Sequence, residues 1–374
     1  MAQEATEADS HVHINLNIQS TTHVRKNYKR WLRIVLYALF LLFGQSIATL
    51  LGRLYYDKGG KSKWMASLVT NVGFPILLFH YCISAPKYPT SNNIQTEPPS
   101  ASMLALVYVS LGLLGALNCY LYSVGLLYLP VSTYSLICAS QLGFNAIFSF
   151  FLNSQKFTPY VMNSIVLLTI SSTLLVFQPD SSGPMGVSKG KYAIGFICTV
   201  SASAAYGLVL SLTQLAFRKV MKSESFKVVM DMIIYQALVA SSATLVGLFA
   251  SGEWKSIKSE MEGFELGKAS YVLTLSWTAI TWQLFSIGCT GLIFEVSSLF
   301  SNAISVLGLP IVPVLAVIFF QDKMHGIKVI SLVLAIWGFV SYVYQHYLED
   351  FNSNSENRNG SDVSKGLLPE EVNG

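Results

Sequence analysis

Long apolar runs, separated by short polar or glycine- and proline-containing breaks, fill the chain from residue 31 onward. A helix needs about 20 predominantly apolar residues to cross the hydrocarbon core of a bilayer, with a usual range of about 17–25. Ten runs come close to this length, at 32–56, 64–85, 101–128, 131–153, 158–178, 191–217, 226–250, 267–293, 296–320 and 326–348. The pattern predicts an all-α polytopic membrane protein with ten transmembrane helices.

Composition excludes a soluble protein. Of the 374 residues, 52% are hydrophobic and only 12% are charged, whereas soluble domains average about 25% charged residues. The net charge of +4 is small and dispersed, so no nucleic-acid partner is expected. The five cysteines lie in apolar runs without CxxC spacing. We therefore expect no metal site, and no cofactor.

The polar ends of the chain indicate its topology. An even number of spans places both tails on the same side of the membrane. A basic cluster, Arg25, Lys26, Lys29 and Arg30, precedes the first span and favours the cytosol. We thus predict a cytosolic N-terminal tail at 1–30 and a cytosolic C-terminal tail at 349–374.

An internal repeat relates the two halves of the chain. The sequence V-S-T-Y-S from Val131 corresponds to V-S-S-L-F from Val296, an offset of 165 residues that also pairs Ser140 with Ser305. Spans 3–5 match spans 8–10 in order. Two copies of a five-helix unit must face opposite ways across the membrane, because five is odd.

Inverted repeats that enclose a midplane site recur in secondary transporters, which work by alternating access. The repeat therefore predicts two inverted five-helix repeats, at 31–178 and 191–348, joined by a linker at 179–190. The same offset of 165 pairs Asn118 in span 3 with Gln283 in span 8.

Several motifs resemble the plant purine permeases. They are R-L-Y from Arg53, G-G-K-S-K-W from Gly59, G-F-P from Gly73, and the block from Gln283 to the D-K-M turn at 322–324. The resemblance covers about residues 31–348. It implies a ten-helix carrier of the drug/metabolite transporter superfamily that imports adenine, cytokinins or related heterocycles with protons. Asn71 stands where the family has glutamine, which bears on substrate identity more than on fold.

Polar side chains within spans are the candidates for substrate binding, because exposure to lipid would be costly. Amide groups can pair with the edge of adenine, and aromatic rings can cover its face. The candidates are Gln45, Asn71, Asn118, Tyr122, Gln141, Asn145, Tyr206, Trp277, Gln283 and Asn302. For each, the alternative is a helix–helix contact, worth about 0.6–2 kcal/mol.

Proton coupling needs a titratable group within or beside the spans. Asp231, near the start of span 7, and Glu295, at the turn after span 8, are the candidates. Asp231 is favoured because Tyr235 and Gln236 follow it on a polar face. Its alternative role is that of a helix-end residue near the N-terminal dipole.

The predicted function is proton-coupled uptake of purine nucleobases and their derivatives, in a multi-pass protein of the plasma membrane. The endoplasmic reticulum and the tonoplast are alternative locations. The same architecture also fits a carrier of another heterocycle, such as an alkaloid or a vitamin, or a nucleotide-sugar/phosphate antiporter. An enzyme is disfavoured because no compact catalytic set is present. The partners are substrate, protons and the lipid bilayer, and the oligomeric state stays open.

Overall fold

The computed structural model describes residues 2–83, 100–154, 188–221, 226–308 and 311–321, with isolated positions at 159–170 and 326–344. The regular elements of this part of the chain are helical throughout, as predicted. The helices are α1 (Ala2–Asp57), α2 (Lys63–Val72), α3 (Pro75–Ile83), α4 (Ala101–Tyr128), α5 (Val131–Cys138), α6 (Gln141–Asn153), α7 (Lys189–Ala216), α8 (Phe226–Ala250), α9 (Ile257–Glu262), α10 (Lys268–Glu295), α11 (Ser298–Gly308) and α12 (Ile311–Phe320). A π-helical turn, Phe217–Met221, continues α7, and a 3₁₀ turn, Glu253–Ser256, precedes α9.

Six stretches are long and apolar enough to cross a membrane. They are Tyr28–Asp57, Ala101–Tyr128, Thr133–Asn153, Lys189–Met221, Phe226–Ala250 and Lys268–Glu295, and a shorter apolar stretch covers Lys63–Phe79. The six correspond to predicted spans 1, 3, 4, 6, 7 and 8. Most of predicted spans 5 and 10, at 158–178 and 326–348, lies outside the described residues. A multi-pass membrane protein is therefore supported.

Predicted spans 2 and 4 are interrupted helices. In span 2, α2 ends at Val72 and α3 begins at Pro75, because proline has no backbone N–H to donate and clashes with the preceding turn of a helix. In span 4, the break falls between Cys138 and Gln141, where no glycine or proline announces it. Both stretches were predicted as single spans; the G-F-P motif marks the first interruption, whereas no such motif marks the second.

The chain divides into two compact units: residues 1–116 with 213–305, here unit 1, and residues 117–212 with 306–374, here unit 2. In unit 1, α1 packs along α10, and α2 packs against α8 and α10. In unit 2, α5 packs against α12. Each unit draws on both halves of the chain, so the units differ from the predicted repeats, which stay a prediction.

Close approach of α1 and α10 depends on glycines. A Cβ atom on Gly44 would lie 2.6 Å from the backbone nitrogen of Phe285. A Cβ atom on Gly288 would lie 2.5 Å from the backbone nitrogen of Leu41 and would also meet the carbonyl oxygen of Tyr37. Small residues at such crossings let helix backbones pack tightly in a membrane.

Unit 1 also contains a polar corner, in which the turn after α1 meets the segment between α8 and α10. The Glu265 carboxylate accepts a hydrogen bond of 2.8 Å from Lys58 Nζ, and this bond raises the pKa of Lys58. The Glu260 carboxylate, only 6% exposed, accepts a 2.8 Å hydrogen bond from the Tyr55 hydroxyl. These contacts hold the loop between predicted spans 7 and 8 against the end of α1.

Ser62 caps helix α2 at this corner. Its Oγ accepts a 3.0 Å hydrogen bond from the backbone N–H of Met65 and donates a 2.7 Å bond to Glu253. Ser62→Ala is expected to lower the stability of the purified protein by about 1 kcal/mol, since a helix cap is lost. The melting temperature in detergent measures this loss. Ser259→Ala is the control, because the exposed Ser259 hydroxyl bonds only within its own turn, to the carbonyl of Ser256; equal losses would contradict a capping role.

Candidate functional site

Asn71 and Gln283, two of the predicted site residues, meet in unit 1. Gln283 is 3% exposed, and its Nε2 donates a 3.4 Å hydrogen bond to the backbone carbonyl of Asn71. The Asn71 side chain donates instead to the carbonyl of Ser67, at 3.3 Å. Gly73 permits the approach, because a Cβ atom there would lie 2.7 Å from the carbonyl oxygen of Ala279. The G-F-P break thus brings a helix end against α10.

Two further predicted amides of unit 1 lie deep in its packing. The Gln45 carbonyl, on α1, accepts a 2.7 Å hydrogen bond from the hydroxyl of Ser305, on α11. Asn302, one turn earlier on α11, is completely buried. This hydrogen bond therefore links α1 to α11 through two residues that are 260 positions apart in the chain.

In unit 2, the structure brings Tyr122 and Gln141 together. The Tyr122 hydroxyl donates a 3.3 Å hydrogen bond to Gln141 Oε1. Asn118 lies one turn before Tyr122 on α4 and is 7% exposed. The spacing of four residues places the two side chains on the same face of the helix. This face of α4 therefore carries a tyrosine bound to a neighbouring amide and, one turn away, a buried asparagine.

Asn145 belongs to a polar network between α6 and α7. Its Oδ1 accepts hydrogen bonds from Ser211 Oγ at 2.8 Å and from Ser149 Oγ at 3.3 Å. The two hydroxyls are 2.9 Å apart. Gly207 allows the crossing, because a Cβ atom there would lie 2.7 Å from the backbone nitrogen of Asn145. The network accounts for the burial of Asn145 as a helix–helix contact.

Asn118 and Gln283, which the predicted repeat pairs, have one feature in common. The Oδ1 atom of Asn118 and the Oε1 atom of Gln283 are both buried, and neither has a hydrogen-bond partner among the residues that the structure describes. Leaving a buried acceptor unpaired costs about 1–3 kcal/mol. Each oxygen can therefore accept a hydrogen bond from a ligand N–H.

Two aromatic residues predicted to cover the face of the substrate, Trp277 and Tyr206, are not fully buried. The Trp277 side chain is 55% exposed, six residues before the buried Gln283, and about one and two-thirds helical turns separate the two positions. Trp277 therefore lies on a different face of α10. Tyr206, on α7, is half-buried.

The two predicted titratable candidates have different surroundings. The Glu295 carboxylate accepts two hydrogen bonds from Arg33, from Nε at 2.8 Å and from Nη2 at 3.3 Å. Asp231 is half-buried near the start of α8. Tyr235, one turn later, stacks on Tyr108 with ring centroids 5.0 Å apart. The Glu295 charge is thus balanced by a bidentate arginine.

Gln214, a polar side chain within predicted span 6, has a partner that the sequence did not indicate. Gln214 Oε1 accepts hydrogen bonds from both the backbone N–H and the hydroxyl of Ser298, at 3.0 and 2.5 Å. This contact caps the N-terminus of α11. No spacing signal could have found it, since the partners lie 84 residues apart.

Apolar helices long enough to span a membrane, with hydrogen-bonding side chains buried among them, define a multi-pass membrane protein. The sequence profile described as purine nucleobase transmembrane transport matches residues 32–352. The chain belongs to this family, as the resemblance indicated.

Named relatives agree with this assignment. The chain is 64% identical over 325 residues to probable purine permease 10 of Arabidopsis thaliana, covering 87% of this chain and 83% of the relative. It is 62% identical over 330 residues to purine permease 21 of the same plant, covering 88% and 84%. Probable purine permease 6 is 54% identical over 358 residues, covering 94% of this chain and 92% of the relative.

Proposed function

We propose that the protein is a secondary active transporter that takes up purine nucleobases and purine derivatives, adenine and cytokinins among them. The observation that carries the proposal is membership of the purine nucleobase transport family. The buried amide oxygens of Asn118 in unit 2 and of Gln283 in unit 1, which have no hydrogen-bond partner among the described residues, support it. The relatives are named as permeases. Transport then proceeds without a chemical reaction or a cofactor.

Purine chemistry matches these two oxygens. Adenine and cytokinins carry exocyclic and ring N–H groups, and a buried amide oxygen accepts such a donor without competition from water. Each hydrogen bond that forms relieves the cost of an unpaired acceptor, about 1–3 kcal/mol. A phosphate-bearing substrate would instead require a charged donor such as arginine or lysine. The chemistry of the two amides therefore favours a purine over a nucleotide sugar.

We further infer that ten helices form two inverted repeats, 31–178 and 191–348, and that transport follows alternating access. Six apolar helices and the shorter stretch Lys63–Phe79 support this count, as does the ordered match of spans 3–5 with spans 8–10. The carrier resides in the plasma membrane in this proposal. If a fluorescent fusion of the protein is found only in the endoplasmic reticulum or the tonoplast, that membrane is its location instead.

The substrate class is tested by uptake of radiolabelled adenine into yeast that expresses the protein. Unlabelled adenine and cytokinins should compete strongly, whereas nucleosides and nucleotide sugars should not. Strong competition by an alkaloid or a vitamin, with none by adenine, would establish the alternative heterocycle carrier. Absence of any adenine uptake from a correctly located protein would contradict the proposed function.

Proton coupling is the energy source in this proposal, and Asp231 is its carboxylate because it lies near the start of a spanning helix, ahead of Tyr235 and Gln236. A protonophore is expected to abolish concentrative adenine uptake. Asp231→Asn should also abolish it while preserving exchange of labelled for unlabelled adenine, since exchange needs no net proton movement. Glu262→Gln is the control, because Glu262 is exposed at the polar corner. Concentrative uptake that persists in the protonophore would contradict the coupling.

A further inference from the structure

A cavity of about 780 Å³ opens within unit 1 where four spanning helices end. Its walls come from the start of the stretch Tyr28–Asp57, the π-helical turn that closes Lys189–Met221, the start of Phe226–Ala250, and the end of Lys268–Glu295. Because span ends lie at the boundary between hydrocarbon and water, this cavity lies at the level of the lipid headgroups. Its volume falls in the range of about 300–1,000 Å³ that is typical of ligand pockets.

The cavity wall is positively charged. Three basic residues, Arg30, Arg33 and Arg218, and one acidic residue, Glu295, are among the described residues that line it. Arg33 binds the Glu295 carboxylate at 2.8 Å, and Arg30 Nη2 donates a 2.8 Å hydrogen bond to the backbone carbonyl of Glu295. The side chains of Arg30 and Arg33 are 56% and 53% exposed. An anion that enters the cavity can therefore reach their guanidinium groups.

A buried amide adds a further donor to the same wall. Gln214 lines the cavity and is 2% exposed. Its Oε1 is occupied by Ser298, whereas its Nε2 is buried without a hydrogen-bond partner in the described part of the chain. This donor is available to an acceptor on a ligand. Guanidinium and amide N–H groups together select a ligand group that only accepts hydrogen bonds.

The remaining wall is apolar. Phe217 and Phe294 meet edge to face, with ring centroids 5.4 Å apart, and Phe226 and Ile293 extend the surface. A small inorganic ion would leave this surface uncovered. The cavity therefore fits an anionic group attached to an apolar stem.

From this arrangement we propose that the cavity binds a phosphate monoester, separately from the transported purine. A phosphate monoester carries about two negative charges near neutral pH, which complements the basic residues of the wall, and its oxygens suit the fork of an arginine side chain. Two sources share this chemistry: the headgroup of phosphatidic acid, whose acyl chains would lie along the apolar wall, and soluble glycerol 3-phosphate, which is the same headgroup without the chains.

The test uses the full-length protein in nanodiscs of phosphatidylcholine, a phosphate diester that forms the background. Phosphatidic acid in the nanodisc, or glycerol 3-phosphate in solution, should raise the melting temperature. Stabilisation by phosphatidic acid alone identifies a lipid site, and stabilisation by glycerol 3-phosphate identifies a site that admits soluble monoesters. If neither probe raises the melting temperature, the proposal is overturned.

Matched variants distinguish specific binding in the cavity from general attraction of an anion to a basic surface. Arg30→Gln and Arg218→Gln should each weaken binding of the effective probe by about tenfold or more, since a charge-assisted hydrogen bond is lost. Lys219→Gln removes the same charge from an exposed neighbour that does not line the cavity, and should change binding by less than about twofold. An equal loss in Lys219→Gln overturns the proposal. Adenine binding in these variants should stay unchanged, so failure here and failure of purine transport are distinguishable.

Discussion

Asn118→Leu and Gln283→Met are each expected to raise the KM for adenine by about 5–150-fold, while the protein still reaches the membrane. The loss of one hydrogen bond to substrate is worth about 1–3 kcal/mol, which gives this range. Asn118→Leu should keep or raise stability, because it replaces a buried oxygen that has no partner among the described residues by an apolar group of similar shape. Gln283→Met should cost about 1 kcal/mol of stability, because it also removes the hydrogen bond from Nε2 to the Asn71 carbonyl. The measurements are adenine uptake in yeast and the melting temperature of the purified variants.

Two controls and a contrary result define this prediction. Ser110→Ala on α4 and Ser276→Ala on α10 alter exposed residues and should leave both KM and stability unchanged. If Asn118 and Gln283 serve only as helix–helix contacts, both variants would lose stability, and both would keep the KM of the unmodified protein. That pattern would refute their role in recognising substrate, and it would leave the family assignment untouched.

The second large effect concerns the crossing of α1 and α10. Gly44→Ala and Gly288→Ala are each expected to lower the stability of the protein by about 1–3 kcal/mol, the cost of overpacking a tight interface. In both cases the new Cβ atom meets backbone atoms, those of Phe285 or Leu41, within 2.6 Å. A side chain could rotate away, but a backbone can only separate, so α1 and α10 must move apart. The melting temperature in detergent reports the effect.

Gly115→Ala is the matched control for these glycines. Gly115 also lies in a long helix of unit 1, but a Cβ atom there would have its nearest neighbour, Gln236 Nε2, at 3.9 Å. This substitution should leave stability unchanged or raise it slightly, since alanine favours the helix more than glycine does. If all three variants behaved alike, close packing of α1 on α10 would not be the determinant of their stability.

Prediction of the fold from sequence succeeded where the signal is local. Apolar runs gave the long helices, and the Leu129-Pro130 turn between α4 and α5 lies where the hydropathy pattern placed it. The G-F-P motif located the break between α2 and α3. The interruption between α5 and α6 was not predicted, because Ala139 and Ser140 are compatible with a continuous helix. Tertiary packing, rather than local propensity, decides a break of that kind.

For the candidate site, the sequence identified side chains that must avoid lipid, and their partners were decided by the fold. Hydrocarbon cannot satisfy an amide, so the burial of Asn118, Asn145 and Gln283 follows from their positions in apolar runs. The sequence did not show that Asn145 binds Ser211, 66 residues away, while the oxygens of Asn118 and Gln283 stay without a partner among the described residues. The packing also gathered three arginines from two span ends around one cavity. Hydropathy and helix propensity are properties of neighbouring residues, whereas hydrogen-bond partners depend on which helix faces meet, and that is settled only when distant segments pack.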